Sequence, residues 1–160
     1  LESNLFYSGV RPAVNVGISV SPVGSAAQTP ALKKVAGRLR NNLPQFRALE
    51  AFSRFVADLD GATQHSLNRG ARLVELLKQG QYQPLRNSEQ IVGLFVGTSG
   101  MVDDIELSRV REFEHGFVEY MNSTKPELMT SLDGWKTEWT DEINAEVSAA
   151  CEEFKATFIA

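Results

Sequence analysis

The small-residue run Gly24-Ser25-Ala26-Ala27 is the first place in this sequence where chemistry could sit. Glycine and serine at the entry to a helix can wrap backbone amides around a phosphate. A phosphate loop also needs Gly-x-x-x-x-Gly-Lys followed by Ser or Thr, so that a lysine reaches the outer phosphates and a hydroxyl reaches magnesium. That pattern occurs nowhere in the sequence. The run therefore reads as a turn between elements, and the protein is not expected to hold a triphosphate by itself. Asp58 and Asp60 flank Leu59 beside Gly61, but the further oxygen ligands of a calcium loop do not follow in Ala62-Thr63-Gln64. His65 and His115 are far apart, with no second His or Cys at helical spacing, which argues against metal ligation. Ser21 and Ser25 lack an identifiable base and a Gly-x-Ser-x-Gly frame, so neither reads as a nucleophile. Cys151 is the single cysteine and cannot form an internal disulfide, which fits a reducing or redox-neutral compartment.

The elements that would position these residues are mostly helices. Residues 13 to 20 are the exception: Val14, Val16, Ile18 and Val20 alternate with polar or small residues, a period of two that predicts a strand with one buried face. Thr29-Pro30 then reads as an N-cap followed by a first helical residue, where a missing amide hydrogen costs nothing. Leu32, Val35, Ala36 and Leu39 form an apolar stripe, and Phe46, Leu49, Phe52, Phe55 and Val56 resume it after Asn41-Asn42 and Pro44. Two helices with a kink near residue 43 are expected. Asp58-Leu59-Asp60-Gly61 marks a turn, and Leu67, Ala71, Val74 and Leu77 stripe the next helix. Residues 81 to 87, with Pro84, read as an extended connector. A short apolar helix over 88 to 96 is expected to stop at Gly97-Thr98-Ser99-Gly100. A longer one carries Val110, Phe113, Phe117, Tyr120 and Met121, a short piece spans 128 to 135, and a last helix from about Asp141 presents Ile143, Val147, Cys151, Phe154 and Phe158. The fold class is mainly α: residues 29 to 160 form a helical bundle, and residues 1 to 28 form a strand-and-turn tail.

Composition sets further bounds. With 160 residues and 42% hydrophobic content the sequence has a domain's worth of core-forming residues. It holds no run approaching the ~18 apolar residues that suggest a membrane span. A net charge of -4 argues against nucleic acid as the main ligand, and Lys33, Lys34, Arg38 and Arg40 read as one solvated helix face. The opening Leu1-Glu2-Ser3-Asn4-Leu5-Phe6 begins in mid-pattern without methionine, which suggests a fragment of a longer protein.

A resemblance gives these pieces a context. The stretch Asn15-Val16-Gly17-Ile18-Ser19-Val20-Ser21-Pro22-Val23-Gly24-Ser25-Ala26-Ala27-Gln28 is preceded by Arg11-Pro12-Ala13 and followed by Lys33-Lys34-Val35-Ala36-Gly37. It resembles the junction between the nucleotide-binding domain and the C-terminal helical domain of the F-type rotary ATP synthase alpha subunit. Ala57-Asp58-Leu59-Asp60, Arg69-Gly70-Ala71-Arg72-Leu73-Val74-Glu75-Leu76-Leu77-Lys78-Gln79, Gly97-Thr98 and Val110-Arg111-Glu112-Phe113-Glu114 follow in the family's order and spacing. The motif match spans residues 1 to 121, and from Asn122 it continues as helical pattern and length.

The resemblance implies a structural and regulatory part of a non-catalytic alpha subunit of a proton-translocating synthase. Its partners would be beta subunits and the central-shaft gamma subunit, on the cytoplasmic side of a bacterial cell membrane and without insertion into it. Residues 1 to 28 would be the tail of the nucleotide-binding domain. ATP or ADP and magnesium would be cofactors of the full subunit, with none held by this segment. Arg11 and Pro12 match residues bordering the adenine of the non-catalytic site, and Gln79 and Gln81 match two glutamines on the connector that closes it. Pro22 stands where the family carries an arginine that acts across the subunit interface on the neighbouring catalytic site. Proline has no charge and no donor, so that role is lost here. The alternatives are a stand-alone helical interaction module derived from such a subunit, or an enzyme, for which the sequence offers no catalytic constellation.

Overall fold

The computed structural model describes residues 1–15, 18, 21, 23–37, 39–53, 55–56 and 59–159, with the side chains of residues 40 and 41 also undescribed. Its helices are α1 (Ser3–Tyr7), α2 (Pro30–Ala36), α3 (Leu39–Ser53), α4 (Gly61–Leu76), α5 (Asn87–Ser99), α6 (Val110–Thr124), α7 (Pro126–Leu132) and α8 (Asp141–Ile159), with a 3-10 turn at Leu107–Arg109. α5 is the axis of the bundle. Ser88, Ile91, Val92, Gly93, Phe95, Val96, Gly97 and Thr98 are all buried, so it shows no consistently polar face, and α2, α4, α6, α7 and α8 all pack on it. α6 is amphipathic instead, burying Val110, Phe113, Glu114, Phe117 and Met121. α8 lays Phe154 and Phe158 over that face, and Phe113 lies 5.2 Å from both rings, centroid to centroid. A smaller core of Leu39, Leu43 and Leu73 joins α3 to α4.

The helix ends follow from local chemistry. The Thr29 hydroxyl accepts from Leu32 N–H at 3.4 Å, and Pro30 opens α2 as the Thr29-Pro30 pair predicts. The Asp60 carboxylate accepts from Thr63 N–H at 3.1 Å and caps α4. At the start of α5 the Glu89 carboxylate reaches back to the Arg86 N–H at 2.9 Å. Gly100, at φ 84, closes α5 in the left-handed conformation that costs glycine least.

Three sequence expectations are corrected. The break between the first two long helices falls at Gly37, where α2 ends, not near residue 43, and α3 runs through Pro44. Pro44 is exposed, so water can serve the Arg40 carbonyl that loses its intrahelical donor. α5 does not stop at Gly97 but continues to Ser99. A Cβ on Gly97 would lie 2.4 Å from Leu76 Cδ1, so this glycine serves close approach of α4 to α5. The strand over 13 to 20 has no counterpart among the described residues: 13–15 are irregular, and Val14 and Ile18, expected on a buried face, are 39% and 72% exposed. A strand needs a neighbour to pair its backbone, and the described remainder of the protein offers only helices and irregular segments. Val16, Gly17, Ser19 and Val20 lie outside the described residues.

Candidate functional site

The segment 77–86 joins α4 to α5 without regular structure, and it is where the fold brings distant functional candidates together. The Gln79 N–H donates to the Arg11 carbonyl at 2.8 Å. This single backbone bond ties the N-terminal Arg11-Pro12 to the connector bearing Gln79 and Gln81. Each side of the contact is braced. The Arg11 guanidinium lies 4.3 Å over the Phe6 ring. The Glu2 N–H donates to the Ala13 carbonyl at 2.9 Å, which folds the N-terminus back on itself. On the connector, Gln79 Nε2 donates to the Gln83 carbonyl at 2.7 Å, spanning a turn in which Tyr82 adopts φ 59 and is 92% exposed. Arg11, Pro12, Gln79 and Gln81 are all exposed. Together they present guanidinium, pyrrolidine and carboxamide groups to solvent.

Beneath the connector lies a cavity of about 50 Å³. Lys78, Gln79 and Gln83 line one side, and Arg111, Glu114 and His115 of α6 line the other. Glu114 is 8% exposed, and burial pushes its carboxyl up to about 7 against the opposing pull of the Arg111 guanidinium. The Arg111 Nε is buried without a hydrogen-bond partner. Neither residue stands out in a search for motifs. The legible signal is positional, since Glu114 falls on the same helical stripe as Val110, Phe117 and Met121, where a carboxylate is expensive.

The other candidates resolve into structural roles. Asp60 is a cap, its carboxyl held below the usual range chiefly by the Thr63 hydrogen bonds, and Asp58 lies outside the described residues. Ser21 Oγ accepts from Gly24 N–H at 2.9 Å within the small-residue turn. His65, on α4, sits 3.5 Å from the Asp103 carboxylate that also pairs with Arg69, whereas His115 is on α6. Among the described residues no cluster of three or more His, Cys, Asp or Glu is placed to hold a metal, and no helix is long and apolar enough to cross a membrane. Cys151 is fully buried, and burial, with Glu152 adding to it, pushes its thiol up to about 12. Lys33 and Lys34 are exposed on α2, as a solvated face requires. Arg38 and Pro22 lie outside the described residues.

Comparison with known protein families matches residues 28–154 to the ATP synthase alpha/beta chain, C terminal domain. The matched span begins one residue before the Thr29 cap and ends in α8, so it takes in every helix of the bundle from α2 onward. With its mainly helical fold, its axial α5, a connector folded back on the N-terminal segment and a match over most of its length, the protein belongs to the family of C-terminal domains of ATP synthase alpha and beta subunits.

Proposed function

We propose that the protein is the helical C-terminal part of a non-catalytic alpha subunit in a proton-translocating rotary ATP synthase, packed in a ring with beta subunits around the gamma shaft. In that setting it is peripheral to an energy-coupling membrane, on the cytoplasmic side in a bacterium. Arg11 and Pro12 border the adenine of a non-catalytic nucleotide, and Gln79 and Gln81 close over it. ATP or ADP with magnesium is held by the complete subunit, whose phosphate loop this segment lacks. The observation that carries the reading is the Gln79 N–H to Arg11 carbonyl bond at 2.8 Å. It joins, across three intervening helices, Arg11 and Gln79, one residue from each of the two segments that the family resemblance pairs.

Pro22 occupies the position of the trans-acting arginine, so a ring built with this segment binds nucleotide and turns it over slowly. The test grafts residues 1 to 160 onto an intact alpha subunit, assembles it with beta and gamma subunits, and measures steady-state ATP hydrolysis with proline, arginine or lysine at position 22. Pro22→Arg should raise turnover by on the order of 10³ to 10⁵, the usual worth of an arginine finger, with nucleotide affinity little changed. Pro22→Lys should recover less, because a point charge lacks the planar fork that grips phosphate oxygens. Equal rates for proline and arginine would remove the assignment of this position. Failure of the grafted subunit to assemble with beta, when the parent alpha subunit does so, would remove the alpha reading.

A further inference from the structure

A carboxylate on the apolar face of a helix has to be explained by what it does there. Glu114 faces Gly93 of α5 so closely that a Cβ on that glycine would lie 2.8 Å from Glu114 Oε1. The glycine makes room for the carboxyl, and α5 presents no charge to it at that contact. From α6 the same cavity receives Arg111 and His115, and from the connector side it receives Lys78, which is already ion-paired with Glu75. The Arg111 Nε has no partner of its own. The roof of the cavity is the connector, with Gln79, Gly80, Gln83 and Leu85 along it. That roof is fastened to the N-terminal segment through the Gln79 to Arg11 bond.

We propose that Glu114 is a proton-operated latch beneath the connector 77–86: with its carboxyl neutral the connector closes over the cavity, and its ionisation releases the connector, and Gln79 with it, from Arg11. The latch is internal to this protein and does not depend on the nucleotide reading. Its physics is linkage. In the closed form burial holds the Glu114 carboxyl near 7, whereas with the connector lifted and water admitted it returns toward its ordinary value of 4.5. The closed form therefore binds the extra proton between those two values. Opening is suppressed at pH 4.5, grows by up to about tenfold per pH unit as pH rises, and levels off above 7. Between pH 5 and pH 7.5 the opening equilibrium rises about 60-fold. Water is the species that enters, since a cavity of about 50 Å³ is large enough for it and Arg111 Nε, Glu114 and Gln83 supply the polar partners.

The reporter is the Gln79 amide, which is protected only while it donates to Arg11. Hydrogen exchange at that amide, corrected for the intrinsic effect of pH, should lose about 60-fold in protection between pH 5 and pH 7.5 and then stay level. The amide of Val92, inside α5, should remain far better protected at every pH, which separates local opening from global unfolding. Glu114→Gln should flatten the Gln79 profile. His115 lines the same cavity, so His115→Gln must leave the profile intact. Carbon-detected NMR titration of the Glu114 carboxyl in the unsubstituted protein supplies the check that needs no variant, and its midpoint should coincide with the pH at which Gln79 protection levels off. A flat Gln79 profile, a profile that survives Glu114→Gln or vanishes with His115→Gln, exchange that tracks Val92, or a carboxyl midpoint in the ordinary glutamate range would each overturn the latch.

Discussion

Gly70 sets how closely α3 and α4 approach, and replacing it tests the packing directly. A Cβ built there would lie 2.1 Å from Phe46 Cδ2, 2.2 Å from Cγ and 2.6 Å from Cβ. Rotating the ring cannot relieve the last contact, because Phe46 Cβ is fixed to the α3 backbone. The helices must separate by about 1 Å or more before ordinary van der Waals distance is regained, opening the small core of Leu39, Leu43 and Leu73. Overpacking costs about 1–3 kcal/mol, and a contact that no rotamer relieves takes the upper part of that range, about 2–3 kcal/mol. Against it stands a gain of about 1 kcal/mol from replacing glycine with alanine inside a helix. Gly70→Ala should therefore destabilise by about 1–2 kcal/mol, measured by urea unfolding followed at 222 nm with an unchanged slope. In a Phe46→Gly background, which removes that Cβ as well as the ring, the clash is gone and only the propensity remains, so the same substitution should stabilise by about 1 kcal/mol. The change of sign is the signature. Gly61→Ala is the control, because nothing lies within 4 Å of its Cβ position. A Gly70→Ala variant as stable as the parent, or an effect of equal sign in both backgrounds, would show that α3 and α4 do not meet through Phe46.

Other consequences follow from single side chains. Glu114→Gln should be more stable than the parent by up to about 3 kcal/mol at pH 7.5 and indistinguishable near pH 4, because a carboxyl raised from 4.5 to about 7 contributes stability that is lost as pH rises through that window; parallel pH profiles for the two proteins would contradict the burial of this group. Cys151 should react with thiol reagents no faster than the protein unfolds, since its thiol is buried and raised to about 12, and rapid labelling in native buffer would contradict its placement. Asn87→Ala should cost about 1–3 kcal/mol in urea unfolding, because Asn87 Nδ2 donates to both Thr29 Oγ1 at 3.1 Å and the Leu132 carbonyl at 2.8 Å and so ties α2, α5 and α7 together.

What the sequence made legible was whatever depended on residues near one another along the backbone. The Thr29-Pro30 start of α2 and the long amphipathic α6 were readable because cap chemistry and a period of 3.6 are local properties, but on α4 it is Gly70, Leu73 and Leu76 that are buried, while the expected stripe of Leu67, Ala71, Val74 and Leu77 stays partly exposed. The stop expected at Gly97 and the kink expected at Pro44 failed for the opposite reason. Both residues weaken a helix in isolation, and both are overridden by where they fall in the bundle: Gly97 against Leu73 and Leu76, Pro44 on an exposed face. The alternation over 13 to 20 carried a genuine β signal, yet a strand is a property of a pair, and the period of two says nothing about whether a partner is present.

The candidate site divides along the same line. Arg11, Pro12, Gln79 and Gln81 could be singled out only through family resemblance, because exposed residues in irregular segments carry no periodicity to distinguish them from any other loop. Their meeting could not be derived from either segment, since the bond that joins them runs from Gln79 to a backbone carbonyl, the one acceptor that is the same whatever residue is written there. Glu114 is the converse case. Its position on the buried stripe of α6 was visible, but its consequence depends on Gly93 having no side chain and on Arg111 Nε having no partner, facts that belong to two helices at once. A motif search finds residues whose types announce a reaction. A site that works by closing two distant segments over a buried proton is written instead in a glycine, an unpaired guanidinium nitrogen and a main-chain bond, and it becomes readable only when the helices that carry them have been packed.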